Sequence, residues 1–152
     1  MRYFNIFGKR QNPNGAYAAV IPKFADMMAQ GISPRLNGDG LHTRDFVHVN
    51  DVCAAIAALI EGEWKAEKYH VYNVATQTKI TLLGLIESIN GALHRLTKDH
   101  ETITATHGPE RVGDIRHSMA SIERICSNLS WKPKVPFQEG IDGLVQERLL
   151  LK

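Results

Sequence analysis

Several things are scarce in this sequence, and each scarcity narrows what the protein can be. No apolar run is longer than Val52–Ile60, far short of the roughly 20 residues that a bilayer-crossing helix needs. The opening Met1-Arg2-Tyr3-Phe4-Asn5 lacks the basic-then-apolar pattern of a secretory leader. There are two cysteines, Cys53 and Cys126, with no CxxC pair and no histidine at ligand spacing. That argues against a disulfide framework and a metal site, and in favour of buried free thiols. Neither charge sign dominates: 18 Lys and Arg stand against 16 Asp and Glu, for a net charge of +2. The two signs are interspersed, so nothing in the composition points to nucleic acid as a partner. The expectation is a soluble, cytoplasmic chain that binds neither membrane nor nucleic acid.

What is present suffices for one core. The chain has 152 residues, of which 43% are hydrophobic, and reads as a single domain over 1–152. Arg2–Gly8 is rich in aromatic and branched residues and predicts a strand stopped by glycine. Gln11–Gly15 carries Asn-Pro and Asn-Gly turn chemistry. Ala18, Ile21, Ala25 and Met28 recur at helical spacing and predict a helix from about Ala16 to Gln30. Ser33–Asn37 is short and extended, closed by the turn Gly38-Asp39-Gly40. Arg44–Val49 alternates like a short strand, and Asn50 or Asp51 is expected to cap an alanine-rich helix to about Ile60.

Tyr69–Val74 gives the best strand signal in the chain. Thr81 is expected to cap a helix whose apolar face runs through Leu82, Leu85, Ile86, Ile89, Leu93 and Leu96. Glu101–Thr106 reads as a further strand and His107–Ser118 as a loop. Ser121 should cap a short helix ending before Trp131-Lys132-Pro133, and a last helix covers about Gln138–Leu150. Strands alternating with helices predict an α/β fold with some parallel pairing.

Three groups of residues suggest chemistry. Asn5 belongs to the opening strand signal, at a point where a short amide can donate to a phosphate oxygen or simply cap a strand end. Arg44 sits between the Gly-Asp-Gly turn and a strand; its planar fork suits a phosphate, and it suits a nearby carboxylate equally well. Arg111 and Asp114 flank Gly113 in one loop, as an ion pair or as a cation and an acceptor for a hydroxylated anion.

In order and separation, Arg2-Tyr3-Phe4-Asn5 with Gly8, Gly38-Asp39-Gly40 with Arg44-Asp45-Phe46 and Asp51-Val52, and Arg111-Val112-Gly113-Asp114 resemble the extended short-chain dehydrogenase/reductase family. The likeness is closest to bacterial UDP-N-acetylglucosamine and UDP-glucose 4-epimerases and covers essentially the whole chain. It implies the C-terminal part of that fold, with some strands of the Rossmann sheet and a small substrate-binding α/β domain. It also implies that Asn5, Arg44 and Arg111 hold the diphosphate of a UDP-sugar and Asp114 the ribose. The uracil would lie along Arg35 to Asn37, with Ala19 and Val20 contributing, and Phe4 would line the nicotinamide of NAD. Gln11 is a weaker candidate near the sugar.

Other parts of the family's machinery do not occur in the sequence. None of the twelve glycines forms the GxxGxxG or GxGxxG turn that lets a backbone approach pyrophosphate. The family's proton-transfer pair is a tyrosine followed four residues later by lysine. Phe7, Ile21, Asn73 and Thr76 stand four residues after Tyr3, Tyr17, Tyr69 and Tyr72. The expectation is therefore no catalytic residue in this chain and no NAD bound by it alone, the N-terminal NAD-binding half being absent. That half, or a homodimer formed through exposed strand edges, would be its partner. The alternatives are a stand-alone UDP-sugar-binding module, a non-catalytic remnant, and the corresponding part of a nucleotide-sugar dehydratase or decarboxylase.

Overall fold

The computed structural model describes residues 1–14, 20–62 and 70–151. The opening strand divides at Phe4 into β1 (Arg2–Tyr3) and β2 (Asn5–Phe7). Strand β1 pairs in parallel with β6 (Asn73–Val74), and β2 with β5 (Phe46–His48). Phe4 donates its amide to the Val74 carbonyl and the next residue, Asn5, to the Asp45 carbonyl, both at 3.1 Å. Successive amides of an extended chain point to opposite edges, so this strand lies between β6 and β5. Much of its edge is therefore covered; Arg2 and Tyr3 of β1 remain exposed. Besides an isolated parallel bridge between Thr43 and His117, two smaller ladders are present. One is β3 (Arg35–Asn37) with β8 (Thr106–Gly108), parallel; the other is β4 (Thr43–Arg44) with β7 (Ile80–Thr81), antiparallel.

The β2–β5 pair is covered on both faces. Phe7 and Phe46 face a core built with helices α1 (Val20–Ala29), α3 (Leu82–Leu96) and α5 (Phe137–Leu150), which pack on one another. Ile6 and Val47 face a second core with α2 (Val49–Glu61), α4 (Glu123–Leu129), Tyr72, Val74 and Trp131. Phe46 stacks on Phe137 at 5.7 Å, and Phe7 meets Phe46 edge-on at 6.4 Å, geometries that aromatic quadrupoles favour. Gly140 of α5 comes so close to β2 that an added Cβ would stand 2.7 Å from the Phe7 ring. The loop after β2 is strapped to the end of α5, where the Glu147 carboxylate accepts the Arg10 amide at 2.8–2.9 Å and Arg148 donates to the Gln11 carbonyl.

Several expectations from the sequence hold in this fold. Thr81 caps α3 by accepting the Gly84 amide at 2.9 Å, and Leu85, Ile86, Ile89 and Leu93 are buried along the predicted face. Others need correction. The cap of α2 is His48, whose Nδ1 accepts the Asn50 amide. Asp51 instead lies buried in the first turn and accepts the Lys134 and Val135 amides, tying the segment before α5 to α2. Only Asn73–Val74 of the strong β signal is strand, because that is the stretch facing β1; Tyr69 lies outside the described residues. The strand expected at Glu101–Thr106 forms at Thr106–Gly108, where β3 offers a partner. Ile122 stands at the N-cap of α4, with Ser121 Oγ accepting the Glu123 amide at 3.3 Å. Cys53 is exposed, and Cys126 is half-buried; both are free. Among the described residues no helix is long and apolar enough to cross a membrane.

Candidate functional site

A cleft of about 340 Å³ opens where β2, β3, β4, the start of α1 and the loop before α4 meet. Asn5, Val20, Arg35, Asn37, Arg44 and Asp114 line it, with Lys23, Phe24, Leu36 and Leu82. Strand alternation explains how β3 contributes: Leu36 is buried while Arg35 and Asn37 are both exposed on the opposite face. Val20 is the first residue of α1. Asn5 Nδ2 donates to the Asp45 carbonyl at 3.1 Å, which fixes the amide plane and leaves a second N–H on the same nitrogen.

Arg44 is held firmly. Its Nη1 donates to the Thr43 carbonyl at 2.9 Å and the Ile115 carbonyl at 2.6 Å, and its Nη2 to Asp114 at 2.7 Å. The next residue, Asp45, is fully buried. Its carboxylate accepts the Thr76 amide and hydroxyl at 2.8 and 2.7 Å, the Gln77 amide at 3.0 Å and the Ala120 amide at 3.4 Å. A buried carboxylate with that many donors is well satisfied. It knits three segments together directly beneath Arg44.

The loop that carries Asp114 closes one side of the cleft and is itself anchored. Thr43 donates its amide to the Arg116 carbonyl at 2.8 Å and accepts the Ser118 amide at 3.1 Å. Arg116 pairs with Asp39 at 2.6 Å and with Glu110 at 3.4 Å. The Leu41 amide, together with Arg116, holds the Asp39 carboxyl below its ordinary range, and Asp39 in turn raises the Arg116 guanidinium. Gly38 and Gly40 adopt positive φ on either side of Asp39, a conformation that glycine enters without steric cost.

The structure thus brings Asn5, Val20, Arg35, Asn37, Arg44 and Asp114 to one cleft. Arg111 is exposed on the same loop as Asp114 and is not among the residues lining it. Phe4 is half-buried at the division between β1 and β2, also away from this lining. Ala19 lies outside the described residues. Lys23 was missed by the sequence reading; its place, three residues into α1 beside Val20 and pointing away from the buried Ile21, was the available signal. A wider cleft, about 540 Å³, lies beside α4 and is lined by Arg2, Asn73 and Arg124, but it gathers none of the predicted side chains.

Residues 1–75 match the NAD dependent epimerase/dehydratase family. Over 99% of its length the chain superposes on 46% of the UDP-N-acetylglucosamine 4-epimerase from Methanobrevibacter ruminantium, solved with UDP-N-acetylmuramic acid, at a TM-score of 0.86 and 36% identity. The chain belongs to the NAD dependent epimerase/dehydratase family. Its α/β fold is that of the C-terminal part of an extended short-chain dehydrogenase/reductase. The UDP-glucose 4-epimerase of Mycolicibacterium smegmatis is 31% identical over 93% of this chain and 42% of its own length. The dTDP-D-glucose 4,6-dehydratase of Mus musculus is 31% identical over 95% of this chain and 39% of its own. The chain therefore spans less than half the length of the family members it matches.

The family's name implies NAD. The sequence carries no glycine-rich turn of the dinucleotide-binding kind, the element that lets a backbone approach pyrophosphate.

Proposed function

We propose that this chain is the nucleotide-sugar-holding part of an NAD-dependent UDP-sugar 4-epimerase, a single domain over 1–152 acting in the cytoplasm. What supports this is one observation: Asn5, Arg35, Asn37, Arg44 and Asp114, from four separate stretches of chain, wall one cleft. Three cations, Lys23, Arg35 and Arg44, stand there with one carboxylate. That balance suits a ligand with a diphosphate and a hydroxylated sugar. In this reading Asn5 and Arg44 hold the diphosphate, Asp114 accepts from the ribose hydroxyls, and Asn37 reads the uracil edge with Val20 and Ala19 beside it. Arg111 approaches the diphosphate from the loop once the ligand is seated. The N-acetylated hexose is the preferred sugar.

The firm hold falls on the nucleotide, away from the reacting carbon, so binding energy is spent on placement and not on the hexose ring. Hydride transfer needs an N-terminal Rossmann half to supply the NAD cradle and the tyrosine–lysine pair, with Phe4 lining the nicotinamide. By itself the chain binds UDP-sugar and does not turn it over. The mouse relative favours a second reading, the same role in a nucleotide-sugar dehydratase.

Calorimetric titration of UDP-N-acetylglucosamine into the purified chain tests the proposal, followed by an activity assay with a complementary Rossmann half. Heat of binding, then epimerised product on complementation, is the expected result. A 4-keto-6-deoxy product would favour the dehydratase reading. Binding without activity in any complementation would favour a stand-alone module. Neither heat nor activity would sink the proposal and leave a remnant.

A further inference from the structure

The cations that line the cleft differ in what they already hold. Arg44 commits both Nη1 hydrogens to the Thr43 and Ile115 carbonyls and one Nη2 hydrogen to Asp114. Asp114 is the one carboxylate among the described residues of the lining, so its charge is matched to Arg44. Lys23 and Arg35 line the same cleft, and neither has a hydrogen bond or ion pair with another described residue. Arg116, outside the lining, shows the contrast, since it is paired with both Asp39 and Glu110.

Lys23 also stands where the fold gives a cation least support. It is the fourth residue of α1, in a first turn that carries no acidic side chain. The positive end of a helix disfavours a cation there. Asp26, three residues on and within reach of a helical ion pair, accepts from Gln30 Nε2 at 3.1 Å. Lys23 thus faces a helix dipole of its own sign and shares a cleft with a second uncompensated cation. Folding gains nothing from its charge; an anion in the cleft would. An ammonium is a compact charge with three donors that turn freely, which suits the oxygens of a phosphate chain. We propose that Lys23 is a direct ligand of the anionic group in this cleft, supplying the charge that Asp114 withholds at Arg44. This role rests on the reading of the cleft as a nucleotide site, and it gives the diphosphate a ligand that lies outside the family's motifs.

Lys23 is exposed, so its replacement leaves the core intact. Lys23→Gln keeps a helix-forming side chain and removes the charge; Lys23→Arg restores a cation. Lys132→Gln removes an exposed charge outside the lining and controls for net charge. The wild type and the three variants are titrated with inorganic pyrophosphate and with UDP at low and high salt, and each is unfolded in urea. Lys23→Gln is expected to bind both ligands about tenfold more weakly at low salt, the effect of one charge-assisted hydrogen bond. The loss should shrink as salt screens the cleft. Lys23→Arg and Lys132→Gln should stay within twofold of the wild type. The urea midpoint of Lys23→Gln should rise slightly, because a cation leaves the positive end of α1. Pyrophosphate affinity within twofold of the wild type in Lys23→Gln overturns the proposal. So does an equal loss in Lys132→Gln, which would reduce the effect to net charge. Lost affinity with a lowered urea midpoint overturns it as well, by making Lys23 a residue of the fold. In each of these cases a wild type that binds UDP keeps the nucleotide reading. A wild type that binds neither ligand refutes that reading, and the role of Lys23 with it.

Discussion

Arg44 donates to Asp114 at 2.7 Å in the lining of the cleft, Arg44 being half-buried and Asp114 exposed. In the proposed nucleotide site, the cation assigned to the phosphate is thus already paired with a carboxylate from the loop. An entering anion must share Arg44 with Asp114 or displace it, and the two parts of a nucleotide respond to that carboxylate with opposite sign. Asp114→Asn is expected to tighten inorganic pyrophosphate several-fold, since a like charge leaves the site. The same substitution should weaken UDP, because the ribose loses a charged acceptor. Titration of both ligands at low and high salt checks this. Parallel movement of the two affinities would contradict the shared role.

Asp45 gathers amide and hydroxyl donors from Thr76, Gln77 and Ala120 while fully buried. Asp45→Ala leaves those donors unpaired in the interior, at a cost of about 3 kcal/mol or more. Urea unfolding of the variant should show that loss, and nucleotide affinity should fall with it as Arg44 loses its footing. Wild-type stability in this variant would mean that water replaces the carboxylate.

Gly140 faces Phe7 so closely that a methyl group would stand 2.7 Å from the ring and 3.0 Å from His48. Gly140→Ala gains helix propensity on α5 and loses more to overpacking, with a net destabilisation of about 1–3 kcal/mol. Thermal unfolding decides the sign. A stabilised variant would show that α5 can step away from the sheet.

His48 caps α2 through a neutral Nδ1 that accepts an amide. Burial lowers its pKa below the ordinary histidine value, partly opposed by Asp51 and Glu139. His100 is lowered in the same direction, by burial and then by His94. A folded-state pKa below the unfolded one means that the unfolded chain binds more protons in that window. The stabilisation is complete above the unfolded histidine value of about 6.5, and it is lost as pH falls towards the folded value. Unfolding measured between neutral and mildly acidic pH should show declining stability. His48→Asn, which keeps a capping acceptor that does not titrate there, should flatten part of the slope and leave the share due to His100. An unchanged slope would remove His48 as its source.

The parts of this structure legible in the sequence are those set by local chemistry. The face of α3 could be read from its apolar spacing, and Thr81 from the start-signal preference for a hydroxyl. The Gly38-Asp39-Gly40 turn was legible because two residues there need positive φ. The cleft was legible only as an ordered set of short motifs, since Asn5, Arg35, Arg44 and Asp114 meet through pairing partners that lie far apart along the chain. Strand limits failed for the same reason. Within the described part of the β signal that ends at Val74, ladder forms where β1 lies beside it, and Glu101–Thr106 gave way to the next few residues because β3 offers its edge there. Lys23 carries no motif; its place in the cleft lining comes from what stands across from it.

Phe46 and Val47 are neighbours in β5, yet they are sealed into different interiors. Sliding this strand by a single residue would turn both inside out at once, so its alignment with β2 has almost no freedom to drift. Asn5 and Arg44 inherit that stiffness, being set on or beside the same pair of strands. Ligand preference in this architecture should therefore diversify through the loop bearing Asp114 and the entry to α1, whose replacements leave the doubly buried strand undisturbed.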